Sequence, residues 1–118
     1  MRLDSRHLPD ATLIIVAGEV DATTSEELES YIDRVRRRLG DHLIFEVSRL
    51  TFLDSSGLAT LLAAATLARA HGAGVHLVAP RPRVGRLLDI TGSWQTLGRH
   101  DTIEQALAAV RAKSPKPV

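Results

Sequence analysis

Short β-branched apolar runs alternate along the chain with longer stretches whose apolar residues recur every three or four positions. Residues 11–16, ATLIIV, form the first such run. It follows the turn signal Pro9-Asp10, so a hairpin with an antiparallel strand over residues 2–8 is expected. GEVD at 18–21 closes that strand. From Thr24 the period changes: Leu28, Tyr31, Ile32, Val35 and Leu39 line one stripe, with acids early and arginines late, and predict an amphipathic helix. Thr24 with Glu27 reads as a capping box at its start, and Gly40 as its stop. Arg36, Arg37 and Arg38 then fall in its last turn, where cations suit the negative end of the helix dipole and a solvated face accounts for them.

HLIFEV at 42–47 is the next buried strand, continued in extended form over 50–53. Residues 57–71 are apolar almost all round, as a helix lying on a sheet requires, and Gly72 stops it. GVHLV at 74–78 predicts a further strand. Pro80 and Pro82 precede a short helix that turns Val84, Leu87 and Leu88 inward. Asp101 with Glu104 caps a last helix, whose inner face is Ile103, Ala106, Leu107 and Val110. Strands separated by helices of this length predict an α/β fold. Its sheet is mixed, mostly parallel with an antiparallel N-terminal hairpin strand, and carries about four helices. One domain is expected over residues 1–112, with KSPKPV at 113–118 a disordered tail.

Composition adds mainly exclusions. Fifteen basic residues against 14 acidic give a net charge of +1, so no one-signed field marks a dedicated nucleic-acid binder. The absence of cysteine removes disulfides, thiolate chemistry and cysteine metal sites. No apolar stretch reaches the roughly 18 residues of a membrane helix, and MRLDSRHLPD lacks a signal-peptide core, so a cytoplasmic chain without membrane insertion is expected. Glu19, Asp21 and Asp54 carry candidate oxygen ligands, but their spacing matches no calcium loop and no histidine motif accompanies them. Neither a metal nor a cofactor is expected.

Against this ordinary patterning, TFLDSSGL at 51–58 stands out. Asp54, Ser55 and Ser56 occupy a strand-to-helix junction at the carboxyl end of a strand, the side on which open α/β sheets expose functional loops. A helix N-cap needs one such residue, worth about 1 kcal/mol. Three in a row leave a hydroxyl over. A hydrolase elbow needs glycine two positions before and after its serine; Ser55 is followed by Gly57 but preceded by Leu53, and no histidine stands in a triad context. No enzyme is expected. A phosphate on Ser56 would add about −1.5 to −2 charges beside the positive end of the following helix, a placement the fold tolerates and a docking partner would not.

GEVD at 18–21, FEVSRLTFLDSSGLATLL at 45–62 and the strand and helices that follow resemble a STAS domain, most closely the bacterial anti-sigma factor antagonists. The resemblance runs from about Ala11 to Val110. It implies partner switching: the unmodified antagonist binds an anti-sigma factor that is also a serine kinase and so frees a sigma factor, phosphorylation reverses this, and a serine phosphatase restores it. The phosphorylated hydroxyl of the family falls on Ser56, with Ser55 a lesser site or helper cap. The implied partner surface comprises Glu19, Asp21, Thr24, Asp54, Ser55, Gly57 and Leu58, with Gly57 letting the partner approach the backbone. Glu46 stands where the family commonly has aspartate, and Ala59 where glycine is frequent. The family also contains modules that never cycle through phosphate, so the other role implied is a scaffold subunit of a stress-signalling or membrane lipid-transport assembly. The oligomeric state is left open.

Overall fold

The computed structural model describes residues 1–113, and its apolar runs pair in sequence order. The elements are β1 (Arg2–His7), β2 (Ala11–Val20), α1 (Ser25–Val35), β3 (His42–Leu53), α2 (Ser55–Ala70), β4 (Val75–Val78), α3 (Pro82–Thr91), a 3-10 turn (Ser93–Gln95), β5 (Leu97–His100) and α4 (Ile103–Lys113). They build one five-stranded sheet in the order β1-β2-β3-β4-β5. β1 runs antiparallel to β2 and every later pair is parallel, as expected for a mixed α/β sheet with an N-terminal hairpin. The last helix includes Lys113, and the remainder of the expected tail, 114–118, lies outside the described residues.

Two apolar clusters divide the helices between the faces of the sheet. Leu28 and Ile32 of α1, Leu58, Leu61, Ala65 and Ala68 of α2, and Val84 and Leu88 of α3 pack with Phe45, Leu43, Leu77 and Val16. Ala106 and Val110 of α4 pack on the other side with Ala11, Leu13, Ile44 and Val78. This partition follows from right-handed crossovers between neighbouring parallel strands, which carry α1, α2 and α3 to one face. α2 lies along the sheet with six of its residues buried, and its near-continuous apolar surface is the consequence.

Several boundaries differ from the sequence pattern. The GEV of GEVD does not end β2 but belongs to it, because Gly18, Glu19 and Val20 pair with Leu50, Phe52 and Leu53. That pairing slips twice, between Ile15 and Ala17 and between Gly18 and Glu19. The bulges place buried side chains at Val47, Leu50 and Leu53, a spacing of three instead of two, so an alternation test breaks the strand where the structure does not. β5 escaped the pattern altogether. Four residues including Gly98 and Arg99 carry almost no periodic signal, and their extended form comes from pairing with β4.

α1 is shorter than its stripe suggests. It ends at Val35, where His7 Nε2 donates to the Val35 carbonyl at 2.8 Å, and Leu39 is left exposed. The three arginines therefore lie beyond the helix and do not form one solvated face. Arg36 is buried, while Arg37 and Arg38 converge on Asp41. The Asp41 carboxylate accepts from the Arg37 amide (3.1 Å), Arg37 Nε (3.3 Å) and Arg38 Nε (3.2 Å), and Thr12 of β2 reaches it at 3.5 Å. The start of α4 is capped one residue later than expected, by Thr102 Oγ1 accepting from the Gln105 amide at 3.2 Å.

Burial pushes the Asp41 carboxyl up, but the hydrogen bonds from Arg38, the Arg37 amide and the Arg37 side chain outweigh it and hold the group below its ordinary value. A carboxylate lowered in the folded state stabilises the fold fully above its unfolded value and loses that contribution as the pH falls through the folded one. Asp41→Asn is therefore expected to cost about 2–3 kcal/mol at neutral pH. It should also flatten the loss of stability below the ordinary carboxyl value of 3.8, as read by urea unfolding at several pH values.

Candidate functional site

The carboxyl ends of β2 and β3 finish side by side, since Val20 pairs with Leu53 and the Asp54 amide donates to the Val20 carbonyl at 3.2 Å. The two loops that leave the sheet there are consequently adjacent. One is the turn 21–24 and the other is the junction into α2.

In the first loop, Asp21 folds back on its own turn. Its Oδ1 accepts from the Thr23 amide (2.9 Å) and Thr23 Oγ1 (2.7 Å). The Thr23 hydroxyl, then the Thr23 amide, hold the Asp21 carboxyl below its ordinary value. Thr24 Oγ1 accepts from the Asp21 amide at 2.9 Å and lies 3.3 Å from both the Glu19 carbonyl and Asp21 Oδ1. Thr24 thus tightens the turn before α1, and the expected capping box with Glu27 is not formed: the Thr24 side chain accepts no amide of the helix. Glu19 is exposed at the end of β2.

In the second loop the cap is Asp54, not Ser56. α2 begins at Ser55, and Asp54 Oδ1 accepts from the amides of Ser56 (2.9 Å) and Gly57 (3.1 Å), which removes two of the unpaired donors at the helix start. Both serine hydroxyls are released from capping and make no side-chain hydrogen bond among the described residues. Ser55 is exposed and Ser56 half-buried. A histidine–histidine contact lies elsewhere, where His76 Nδ1 meets His100 Nε2 at 3.0 Å across β4 and β5. What remains is a pair of hydroxyls beside the Asp54 carboxylate, on a loop adjacent to the turn that carries Asp21.

A family model described as the STAS domain matches residues 2–106 of this chain. The chain belongs to the STAS domain family. It is similar to the anti-sigma F factor antagonist of Paenibacillus polymyxa, at 27% identity over 115 residues that cover 97% of this chain and 98% of that one. Among solved structures, an anti-sigma factor antagonist from Mycobacterium paratuberculosis shares 29% identity with a TM-score of 0.82, covering 93% of each chain. The Bacillus cell fate determinant SpoIIAA, solved in its phosphorylated form, shares 22% identity and the fold, with a TM-score of 0.72 over 93% of this chain and 100% of that one.

Within this STAS domain the residues expected at the partner surface separate into two groups. Glu19, Asp21, Thr24, Asp54, Ser55 and Ser56 gather at the paired strand ends. Gly57 and Leu58, expected to meet a partner, are buried and face the sheet. A Cβ on Gly57 would lie 2.5 Å from Leu53 Cδ1 and 2.7 Å from Val20 Cγ1, so the glycine serves the close approach of α2 to β2 and β3. Glu46 binds its own strand: its carboxylate accepts from the Ser48 amide and hydroxyl at 2.8–2.9 Å, and Arg81 Nε donates to the Ser48 carbonyl at 2.8 Å. Phe52, two residues before Asp54, is 36% exposed beside the loops and was not singled out from the sequence. The signal was available, since burial of Leu53 turns its strand neighbour outward.

These roles separate by stability. Asp54→Ala is expected to cost about 1 kcal/mol through the lost cap, and Gly57→Ala about 1–3 kcal/mol through overpacking against Val20 and Leu53. Ser56→Ala should stay within about 0.5 kcal/mol of the wild type. Thermal or urea unfolding of the three variants measures all of this.

Proposed function

We propose that this chain is an anti-sigma factor antagonist whose binding is switched off by phosphorylation of Ser56. In the unmodified state the surface formed by Glu19, Asp21, Thr24, Asp54 and Ser55 docks on an anti-sigma factor with serine kinase activity, and a sigma factor is released. In the switching step Ser56 Oγ attacks the γ-phosphorus of ATP held by the kinase. The bond to the ADP oxygen breaks, and the hydroxyl proton passes to a base of the kinase. A serine phosphatase returns the hydroxyl by hydrolysis. The chain is the substrate and the ligand of these reactions and catalyses none of them.

The observation that carries this reading is that Asp54 alone caps α2, through the amides of Ser56 and Gly57. A cap supplied by Asp54 leaves the Ser56 hydroxyl available to a kinase, and it also determines what a phosphate there would do. Those two amides are already bound to Asp54, so a phosphate on Ser56 would stand beside the Asp54 carboxylate instead of capping the helix. Its charge of about −1.5 to −2 would then fall on the docking surface while the helix start stays intact. A partner would have to desolvate that charge next to existing acids, and each 1.4 kcal/mol of mismatch costs about tenfold in affinity. The antagonist relatives, and the phosphorylated form known for SpoIIAA, support the same assignment.

Ser56→Asp is expected to weaken binding to the anti-sigma factor at least tenfold with no loss of thermal stability, and Ser56→Ala to bind but resist phosphorylation. Isothermal titration with the purified partner, together with intact-mass analysis after incubation with that partner and ATP, tests both. Phosphate incorporated into the Ser56→Ala variant, or unchanged affinity of Ser56→Asp, overturns the assignment.

A further inference from the structure

Below Ser56, on the flank of the domain, α1 and α2 part to leave an open groove of about 410 Å³. Its floor is Ile32, Ala64 and Arg36, one wall carries Glu29 and Asp33 of α1, and the other carries Ala59, Ala63 and Leu67 of α2. The acids are exposed, and so is Leu67, at 37% of its surface. Ser56 and Thr60 continue the α2 wall upward by helical spacing, and Thr60 Oγ1 donates to the Ser56 carbonyl at 3.3 Å. The groove therefore runs into the docking surface.

Arg36 is the group that marks it. The side chain is only 9% exposed, and among the described residues its single hydrogen bond runs from Nη2 to the Ala64 carbonyl at 3.3 Å. Nε and Nη1 are buried and find no acceptor among those residues. Nearby acids do not satisfy them: Asp33 and Asp41 act on Arg36 through their charge, but Asp41 is bonded to Arg37 and Arg38, and among the described residues no ion pair forms with the Arg36 guanidinium. An unsatisfied buried guanidinium is costly to the free domain, and an apolar residue of similar size in its place is commonly neutral or stabilising.

We infer that this groove receives the C-terminal turn of an amphipathic helix of the same anti-sigma factor, an inference that rests on the function proposed above. The end of a helix offers what the groove lacks. Its last carbonyls are without internal partners and form the negative end of the dipole, so they supply acceptors to Arg36 once its fork turns toward them. Lysines and arginines concentrate in the last turn of helices and match Glu29 and Asp33. An apolar flank fits between Ala59, Ala63 and Leu67.

The test uses the full chain and the purified anti-sigma factor, with affinity and melting temperature measured for wild type, Ser56→Asp, Arg36→Met and the double variant Glu29→Lys with Asp33→Lys. Arg36→Met is expected to bind at least tenfold more weakly while melting at or above the wild-type temperature, a split that a purely structural arginine would not produce. The double variant reverses two exposed charges, one of which, Asp33, acts on Arg36, and is expected to weaken binding at least tenfold with only a small fall in melting temperature. If Ser56→Asp is weakened and both groove changes bind as wild type, the groove is not used and the switch stands. If the wild type binds no anti-sigma factor, both the switch and the groove inference fall. A change in self-association by sedimentation, with partner affinity unaltered, would assign the groove to a second copy of the chain and overturn the inference.

Discussion

Everything at the functional edge depends on how β2 and β3 end. The two strands pair in parallel over their whole length, and their last pair, Val20 with Leu53, is locked by the Asp54 amide on the Val20 carbonyl. Parallel pairing sends both following loops out of the same edge of the sheet, which brings the acid turn at 21–24 against the serine junction. Two bulges make this possible. Without the extra residues they insert in β3, Leu53 would not meet Val20, and each one-residue slip would turn the side chains of the strand end to the opposite face.

Gly57 translates that strand pairing into the position of the helix. With no Cβ between Leu53 and Val20, the first turn of α2 settles directly on the paired ends, and Asp54 can reach back over the first free amides. Two of the free amides at the helix start are then held by one residue. A chemical consequence follows from a packing one: because Asp54 supplies the cap of α2, neither the Ser55 nor the Ser56 hydroxyl is used for it. The switch proposed above would separate the energetics of folding from those of binding.

The same separation distinguishes the two arginine environments beyond α1. Arg37 and Arg38 share the buried Asp41 and tie the α1–β3 loop to β2 through Thr12, which serves the fold. Arg36, their chain neighbour, is buried with two nitrogens unsatisfied, which does not. Three identical residues in a row thus take different parts because the helix ends at Val35, and the chain leaving it points successive side chains in different directions. The histidine contact at the Val35 carbonyl comes from β1, nearly thirty residues earlier, so nothing local to the triplet announces where the helix stops.

The sequence by itself determined the class of the fold, the order of its longer elements and the strand-to-helix junction that carries the candidate site. Apolar period and turn residues depend on local chemistry, and DSSG at a strand-to-helix junction is legible as more capping capacity than one helix start can use. Tertiary structure decided what local chemistry cannot. β5 exists through pairing with β4; the bulges in β3 hide its continuity from any test of alternation; and burial of Gly57 and Leu58 comes from strands distant in sequence. Which of Asp54, Ser55 and Ser56 caps the helix was equally undecidable from residue type, since each has the required oxygen. It was settled by the Val20 carbonyl, which holds the Asp54 backbone in the extended form that lets its side chain reach the amides of Ser56 and Gly57.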